Sequence, residues 1–486
     1  MISLQEKEID FNTLEKEVFS FVCKLGVDII EQMLESTDKA LSKGRDKKVY
    51  RHKGLKKNTI KTVMGEVEYK RAIYEHIDEV GAKKYVHLLD EFLDMKTIGK
   101  LSGTLIEKVL ENSTVTPYRK AAENICSITR QTISHGAVWG IVKNFGEKLQ
   151  KDEEERSKRY KLGKLNGERE AKVLFMEADG LWLSMQRKDR PKKGKKEIKL
   201  GIHHEGWERR SGKKEAYIVK NKGVIAGFTD PENFKLLRDS SIAEDYNTDE
   251  IEYRILNGDG ATWIRNGHDA VGDYFQLDRF HIARAIIRNI KDKKEAKNLW
   301  KLFKACQFKS FMDRLNELKY ECGGLYEEVK KIQELEKYIY SNKDGIIPYE
   351  KRITLPKPPE GLSHRGLGVM ESNVFNVLGN RMKGKKMSWS ISGANNLAKI
   401  LAVKASGKLY EKIGSLLSST LPDKAVEIYE ETLENAKENS INIKKKIALY
   451  PVKESRIPFT EAKVTEGRKA IRQMFRQKSF TELGYK

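Results

Sequence analysis

Two runs of strand-forming residues each lead into an aspartate followed by glycine. Residues 173–178 run into Asp179-Gly180, and residues 253–257 run through Gly258 into Asp259-Gly260. An aspartate where a strand passes into a loop, with glycine beside it, lets backbone approach a ligand closely. A chain with two such corners is constrained towards a sheet in which two strand ends meet. The intervening pattern supplies the other strands. Residues 181–186, 197–203 and 217–228 read as strands between Gly-, Lys- and Asp-rich turns, a polar helix follows near 231–245, and 274–277 reads as a last strand.

Three antiparallel strands, a helix and two more strands is the order of an RNase H-like α/β sheet. A third acid, Glu371, follows Gly368-Val369-Met370 and opens a helix with Asn373, Phe375, Leu378 and Met382. Phosphoryl transfer needs such a set. Two divalent ions about 3.5–4 Å apart clamp the attacking and leaving oxygens of an in-line displacement. Magnesium takes hard oxygen ligands and keeps several waters, so a few carboxylates suffice. Either Asp-Gly pair alone also reads as an ordinary turn; the set of three acids carries the reading.

The charge balance points the same way. Lys and Arg number 93 against 71 Asp and Glu, a net +22. DNA or RNA is the natural partner of such an excess, the bland alternative being a merely basic soluble protein. A membrane surface is disfavoured, because no helix has a purely basic face and no apolar run approaches the roughly 20 residues that span a bilayer. The N-terminus lacks the basic-then-apolar pattern of a secretory signal. Cys23, Cys126, Cys306 and Cys322 form no C-x-x-C pair, which argues against a zinc finger and fits a reducing compartment.

Towards the N-terminus, Asn12 and Glu15 read as a capping box. Leu14, Val18, Phe21, Val22, Leu25, Ile29, Met33 and Leu34 then recur at helical spacing, as in a packing or self-association helix. Residues 43–61 are very basic. Residues 62–74, with Val67, Tyr69 and Ile73 alternating with polar neighbours, read as a hairpin turning near Gly65 that either lies on a phosphate backbone or presents charge to solvent. Residues 81–148 read as helices. One begins at Thr116-Pro117, and a break near Thr129 precedes a second with Ile133, Ala137, Val138 and Ile141. This fits a helix-turn-helix whose recognition helix opens with Arg130, Gln131, Thr132, Ser134 and His135, or else a plain bundle.

The charged stretch 149–170 reads as a domain boundary. Lys192, Lys193, Lys195 and Lys196 form a hairpin tip, for DNA backbone or for solvent. His203 and His204 are adjacent on a strand, face opposite sides and cannot share a metal. Trp182, Trp207 and Trp263 read as packing residues. From Phe280 to about residue 340 the chain is charged and helical. The tail 441–486, with twelve Lys/Arg against four Glu, is expected to order only on DNA.

Taken together, Glu177-Ala178-Asp179-Gly180, Gly258-Asp259-Gly260-Ala261-Thr262-Trp263-Ile264, Asp278-Arg279-Phe280-His281 and Gly368-Val369-Met370-Glu371-Ser372-Asn373 resemble the core motifs of bacterial insertion-sequence transposases. The likeness is to the ISLre-type group, related to the Mutator-like DDE enzymes. Gly65-Glu66-Val67-Glu68-Tyr69-Lys70-Arg71 and Trp389-Ser390-Ile391-Ser392-Gly393-Ala394 are similar to that group as well, so the resemblance covers most of 45–405. It implies a catalytic triad of Asp179, Asp259 and Glu371 that binds two Mg²⁺ or Mn²⁺ ions. It implies that His281, in an Asp-x-x-His signature, contacts the scissile phosphate or holds the triad; a structural histidine capping the next helix is the other reading. The implied reaction is cleavage at element ends followed by strand transfer into target DNA. The implied partners are terminal inverted repeats, target DNA and a second copy or more of the chain, in the bacterial cytoplasm at the nucleoid. An RNase H-like nuclease without strand transfer, and a decayed or domesticated DNA-binding protein, are the alternatives.

The expected organisation is an N-terminal helix (1–45), a basic hairpin region (46–80) and a helical DNA-binding domain (81–150). An RNase H-like core (171–280 and 365–415) follows, interrupted by an all-helical insertion (281–364), with a basic C-terminal region (416–486).

Overall fold

A computed structural model describes residues 10–77, 82–93, 100–192, 194–210, 216–265, 272–323, 326–384, 386–417, 426–431 and 433–435. The chain is mixed α/β and divides into two compact units. A hairpin unit comprises residues 1–102, 129–131 and 418–486; a sheet unit comprises 103–128 and 132–417.

In the hairpin unit, helix α1 (Phe11–Gly44) is capped by Asp10, whose carboxylate accepts the Thr13 amide at 2.8 Å. The cap lies two residues before the expected Asn12, because the Asp10 side chain already satisfies an orphan amide of the first turn. The basic stretch becomes strand β1 (Tyr50–Lys61), which pairs antiparallel with β2 (Glu66–Ile77). The turn between them uses Gly65 at φ +151°, a conformation that favours glycine. Strand β3 (Lys83–Val86) and helix α2 (Leu88–Leu93) follow, and Tyr429 of the later helical residues 426–431 packs on the same core. Leu34, Ile60, Val67, Tyr69, Leu89 and Leu93 form its core, with Val27, Ile30 and Leu41 against them. The buried Asp38 carboxylate accepts the Ala72 amide at 3.0 Å, tying α1 to the centre of β2.

The sheet unit opens with α3 (Gly103–Val115), α4 (Tyr118–Ile128) and α5 (His135–Lys161). Residues 149–161 of the boundary expected at 149–170 belong to α5, and the expected helical domain 81–150 is divided between the units. Helix α5 is not a short recognition helix. It buries Val138, Ile141, Val142, Phe145 and Leu149, the stripe of a core helix. The main sheet is built from β4 (Val173–Ser184), β5 (Lys195–His204), β8 (Gly223–Gly227), β9 (Tyr253–Gly258) and β10 (Asp273–Leu277). Their order is β10-β9-β4-β5-β8; β4, β5 and β8 are antiparallel neighbours, whereas β9 and β10 run parallel to β4. Helix α6 (Pro231–Asp245), capped by Asp230, connects the two sets and packs Phe234 and Leu237 on Ile225.

Two strand expectations are corrected. Residues 173–178 and 181–186 are one strand, because Asp179 and Gly180 keep pairing with β5. Residues 217–228 are two: Asn221, at φ +49°, turns the chain between β7 (Tyr217–Val219) and β8. Strand β7 joins β6 (Trp207–Arg209) and β11 (Leu362–Ser363) in a separate small sheet.

The short α7 (Thr262–Arg265) lies between β9 and β10. After β10 come α8 (Arg279–Asn289), α9 (Lys293–Lys304), α10 (Phe308–Glu321), α11 (Tyr326–Ser341) and the short α12 (Tyr349–Arg352). The expected helical stretch is present. Its Leu299, Phe303, Phe311, Leu315 and Leu335 share one core with Leu174, Met176, Leu256 and Phe275 of the sheet. Residues 370–382 form one helix, α13 (Met370–Asn373) and α14 (Asn380–Met382) joined by a π-helical turn (Val374–Gly379). Helix α15 (Ile391–Ala405) packs on α5, where the absence of a Cβ at Gly146 admits Asn396, and α16 (Leu409–Leu417) follows.

Candidate active site

Strands β4 and β9 pair in parallel from Val173–Tyr253 to Ala178–Gly258. Asp179 and Asp259 are each the first residue beyond that last rung, so both lie at one end of the β4–β9 pair. Their chains then diverge: β9 ends, while β4 continues along β5 as far as Ser184–Lys195. The glycines are explained by neighbouring side chains. A Cβ on Gly180 would meet the Glu197 carboxylate, and Gly260, at φ +89°, lies against Asn342.

The third strand of the parallel set, β10, delivers Asp278, which caps α8 by accepting the Phe280 amide at 2.7 Å. His281 is therefore on the first turn of α8. Its Nε2 lies 3.6 Å from Asp179 Oδ2. Burial alone would lower the His281 pKa, but Asp179, with Asp278 and Asp259 nearby, outweighs it and the net shift is upward. Glu371 projects from the first turn of α13. One potential ligand atom each from Asp179, His281 and Glu371 all fall within 4.8 Å of one another.

Asp259 is outside that tight group. Its Oδ1 accepts the Ala261 amide at 2.8 Å and its carbonyl accepts the Tyr338 hydroxyl at 2.7 Å. Burial raises its pKa, and the charge of Asp179 raises it further. Of the four residues expected to converge, three do so closely, and Asp259 is their charged neighbour. Two carboxylates and an imidazole within this span fit a divalent ion: the oxygens suit Mg²⁺ or Mn²⁺, and imidazole is an accepted ligand of first-row metals.

Behind these residues lies a buried network that the sequence reading missed. Glu177, 1% exposed, accepts the backbone amides of Gly368 (3.3 Å), Val369 (3.3 Å) and Met370 (3.2 Å), immediately before Glu371. It also accepts the Asn257 side-chain amide at 2.9 Å, and the same Asn257 nitrogen donates to Asp278 at 3.0 Å. Burial pushes the Glu177 pKa up to about 7, against the pull of these donors. The Glu177–Asn257–Asp278 chain thus links the segments that carry Glu371 and His281. The sequence held one signal: an acid inside an apolar run is buried and must be partnered. Glu197 was missed too. It is half-buried over Gly180, and burial raises its pKa, with Asp259 and Asp179 adding to the effect.

The other candidates are dispersed. Helix α5 begins at His135, so Arg130, Gln131 and Thr132 precede it rather than open it, and Ser134 is its cap, accepting the Ala137 amide at 3.1 Å. Gln131 is buried, whereas Arg130, Thr132 and Ser134 are exposed. Lys192 is exposed before β5; Lys195 and Lys196 begin that strand, with Lys196 over the Phe228 ring at 5.7 Å; Lys193 lies outside the described residues. His203 and His204 are fully buried and Trp207 packs against His204, while Trp182 is about half exposed. The tail 441–486 lies outside the described residues.

Similar proteins supply a family but no activity. A crystal structure of a pre-cleavage Mos1 transpososome aligns with 49% of this chain and 78% of that one at 11% identity; its TM-score, 0.14, is too low to bear on the fold. A UPF0236 protein of Caldanaerobacter subterraneus subsp. tengcongensis is 26% identical over 79% of this chain and 75% of its own length. A second from the same organism is 24% identical over 83% and 80%. One from Streptococcus gallolyticus, described as lying in a vanSb 3′ region, is 26% identical over 81% and 83%. The model of the uncharacterised protein family UPF0236 matches residues 4–415, and the chain belongs to that family.

Proposed function

We propose that the protein is a DDE-type DNA transposase with an RNase H-like core, in which Asp179, Asp259 and Glu371 are the catalytic acids. The observation that carries the proposal is the convergence of Asp179, His281 and Glu371 within 4.8 Å at the end where β4 and β9 part. Three antiparallel strands, a helix and two parallel strands in the order β10-β9-β4-β5-β8 support the RNase H-like reading. The name of one relative joins eleven loci of a single genome, as a mobile element would.

Divalent ions held by these acids would supply charge stabilisation to the attacking and leaving oxygens of a phosphodiester. The chain's own residues do the rest. Asp179 and Glu371 bind and orient from a rigid strand and a helix turn, and His281 faces Asp179 from a third element. Asp259 adds negative charge beside them. The exposed Arg51, Lys56 and Lys57 of β1 offer cations to a phosphate backbone.

The test incubates the full chain with a duplex copying the DNA that flanks its coding region, plus a supercoiled target plasmid, in Mg²⁺ or in EDTA. Cleaved and joined strands are expected with Mg²⁺ alone. Asp179→Asn and Glu371→Gln should abolish both while retaining duplex binding. Cleavage without joined products would reduce the enzyme to a nuclease, and undiminished cleavage by Asp179→Asn would remove the site assignment.

A further inference from the structure

Helix α1 carries two apolar stripes, and among the described residues only one has a partner within its unit. Val27, Ile30, Leu34 and Leu41 pack into the hairpin core, and Gly26 lies tightly against Met64. At about 100° per residue, Phe11, Leu14, Val18, Phe21 and Leu25 fall on nearly the opposite side. That side is open: Phe11 is 72% exposed, Phe21 60% and Val18 51%, with Leu14, Val22 and Leu25 all above 40%. A contiguous exposed apolar row on a soluble helix marks an interaction surface.

We infer that this stripe is the seam of an antiparallel α1–α1′ pair between two copies of the chain. The spacing is heptad-like, with Phe11, Val18 and Leu25 at one core position and Leu14 and Phe21 at the other. An antiparallel register that sets Val18 against Phe21′ also sets Leu14 against Leu25′, giving four apolar layers about a twofold axis. The flanking charges select this direction. In the same register, Glu17 faces Lys24′ and Lys24 faces Glu17′. A parallel pair would instead place Val22′ opposite Glu17 and Ile29′ opposite Lys24, leaving both charges without complement. Self-complementarity of sequence, charge and symmetry thus names a second copy of this chain as the partner. Because the C-terminal half of α1 is held by the hairpin core, the exposed half is already helical, and pairing needs no separate ordering step.

The test is the mass of the full chain by light scattering across a dilution series, which reads association and not cleavage, so it stands or falls apart from the proposed activity. A dimer is expected at tens of micromolar. Phe21→Glu should raise its dissociation constant at least about tenfold, since it sets a charge against Val18′ in two of four layers. Glu17→Lys alone and Lys24→Glu alone should each weaken it by roughly fivefold through two like-charged pairs. Mixing those two variants, or combining both changes in one chain, should restore association. A monomeric wild-type chain overturns the inference, as does a Phe21→Glu dimer of unchanged affinity. Indifference to the charge changes in a dimer that Phe21→Glu does break would refute the antiparallel arrangement.

Discussion

Neighbouring strands of the main sheet bury polar groups in two ways, with different consequences. On β4 and β9, Glu177 and Asn257 direct their hydrogen bonds outward into the segments bearing Glu371 and His281. Glu177 reaches peptide groups 191 to 193 residues further along the chain. On β5, His203 and His204 are equally buried but turned inward. His204 Nδ1 accepts the nearby Gly206 amide at 3.2 Å and its ring stacks on Phe175, and His203 Nε2 meets Ser241 Oγ of α6 at 3.4 Å, while among the described residues His203 Nδ1 and His204 Nε2 have no hydrogen-bond partner. Burial alone therefore does not mark a site. What distinguishes the first group is where its bonds go.

The largest effect that could break this contrast is at Glu177. Glu177→Leu leaves three backbone amides and one of the two donors of the Asn257 amide without their acceptor, and should cost about 3 kcal/mol or more in urea unfolding. Glu177→Gln keeps an acceptor oxygen but turns a second donor towards donors, and should cost about 1–2 kcal/mol. Equal losses for Leu and Gln would mean that packing, not hydrogen bonding, is what Glu177 contributes.

The histidines should show themselves through pH. Burial pushes both pKa values down to about 3, well below the ordinary value of about 6.5. Between these values the unfolded chain binds protons that the folded chain does not, so stability falls as pH drops from about 6.5 towards 3. For two imidazoles the slope is at most about 2.7 kcal/mol per pH unit. A His203→Leu/His204→Phe double variant should flatten that part of the stability curve. An unchanged slope would show that the rings are already charged in the fold.

Much of the sheet was legible because its signals are local. The apolar runs, the polar helix near 231–245 and the turn at Gly65 are each written in a few adjacent residues. The same is true of Asp179, Glu371 and His281, whose motifs flag them without any knowledge of contacts. What escaped the sequence is non-local. Nothing adjacent to Asp179 says that β4 continues through it, because that depends on pairing with Leu200 and Lys199 of β5. Gln131 looked like a DNA-reading side chain since it is polar and follows a helix break, yet it is buried. Likewise the charged face of α5 around residues 149–161 looked like a linker, although the opposite face of that helix packs on α15. Composition reports the exposed side of a helix more loudly than the buried one.

The smallest effects compare the two Asp-Gly corners, which look alike in sequence but not in space. Gly260 sits at φ +89°, and a Cβ there would come within 2.6–2.9 Å of three atoms of the Asn342 amide. That amide is itself anchored, donating to the Tyr338 carbonyl at 2.8 Å, so it cannot readily move. Gly260→Ala should therefore cost about 1–3 kcal/mol from backbone strain and displacement of Asn342. Gly180 is an extended strand residue without positive φ, and the atoms nearest a Cβ there all belong to the flexible Glu197 side chain. Glu197 can swing aside, so Gly180→Ala should cost less than about 1 kcal/mol, and the lower chain entropy of alanine offsets part of that. Its effect should appear instead at Glu197: swinging that carboxyl out of its half-buried place and away from Asp259 and Asp179 should lower the Glu197 pKa, read from the carboxyl carbon shift across a pH titration. If Gly180→Ala proves as damaging as Gly260→Ala, Glu197 is held as firmly as Asn342, and the two corners are constrained alike after all.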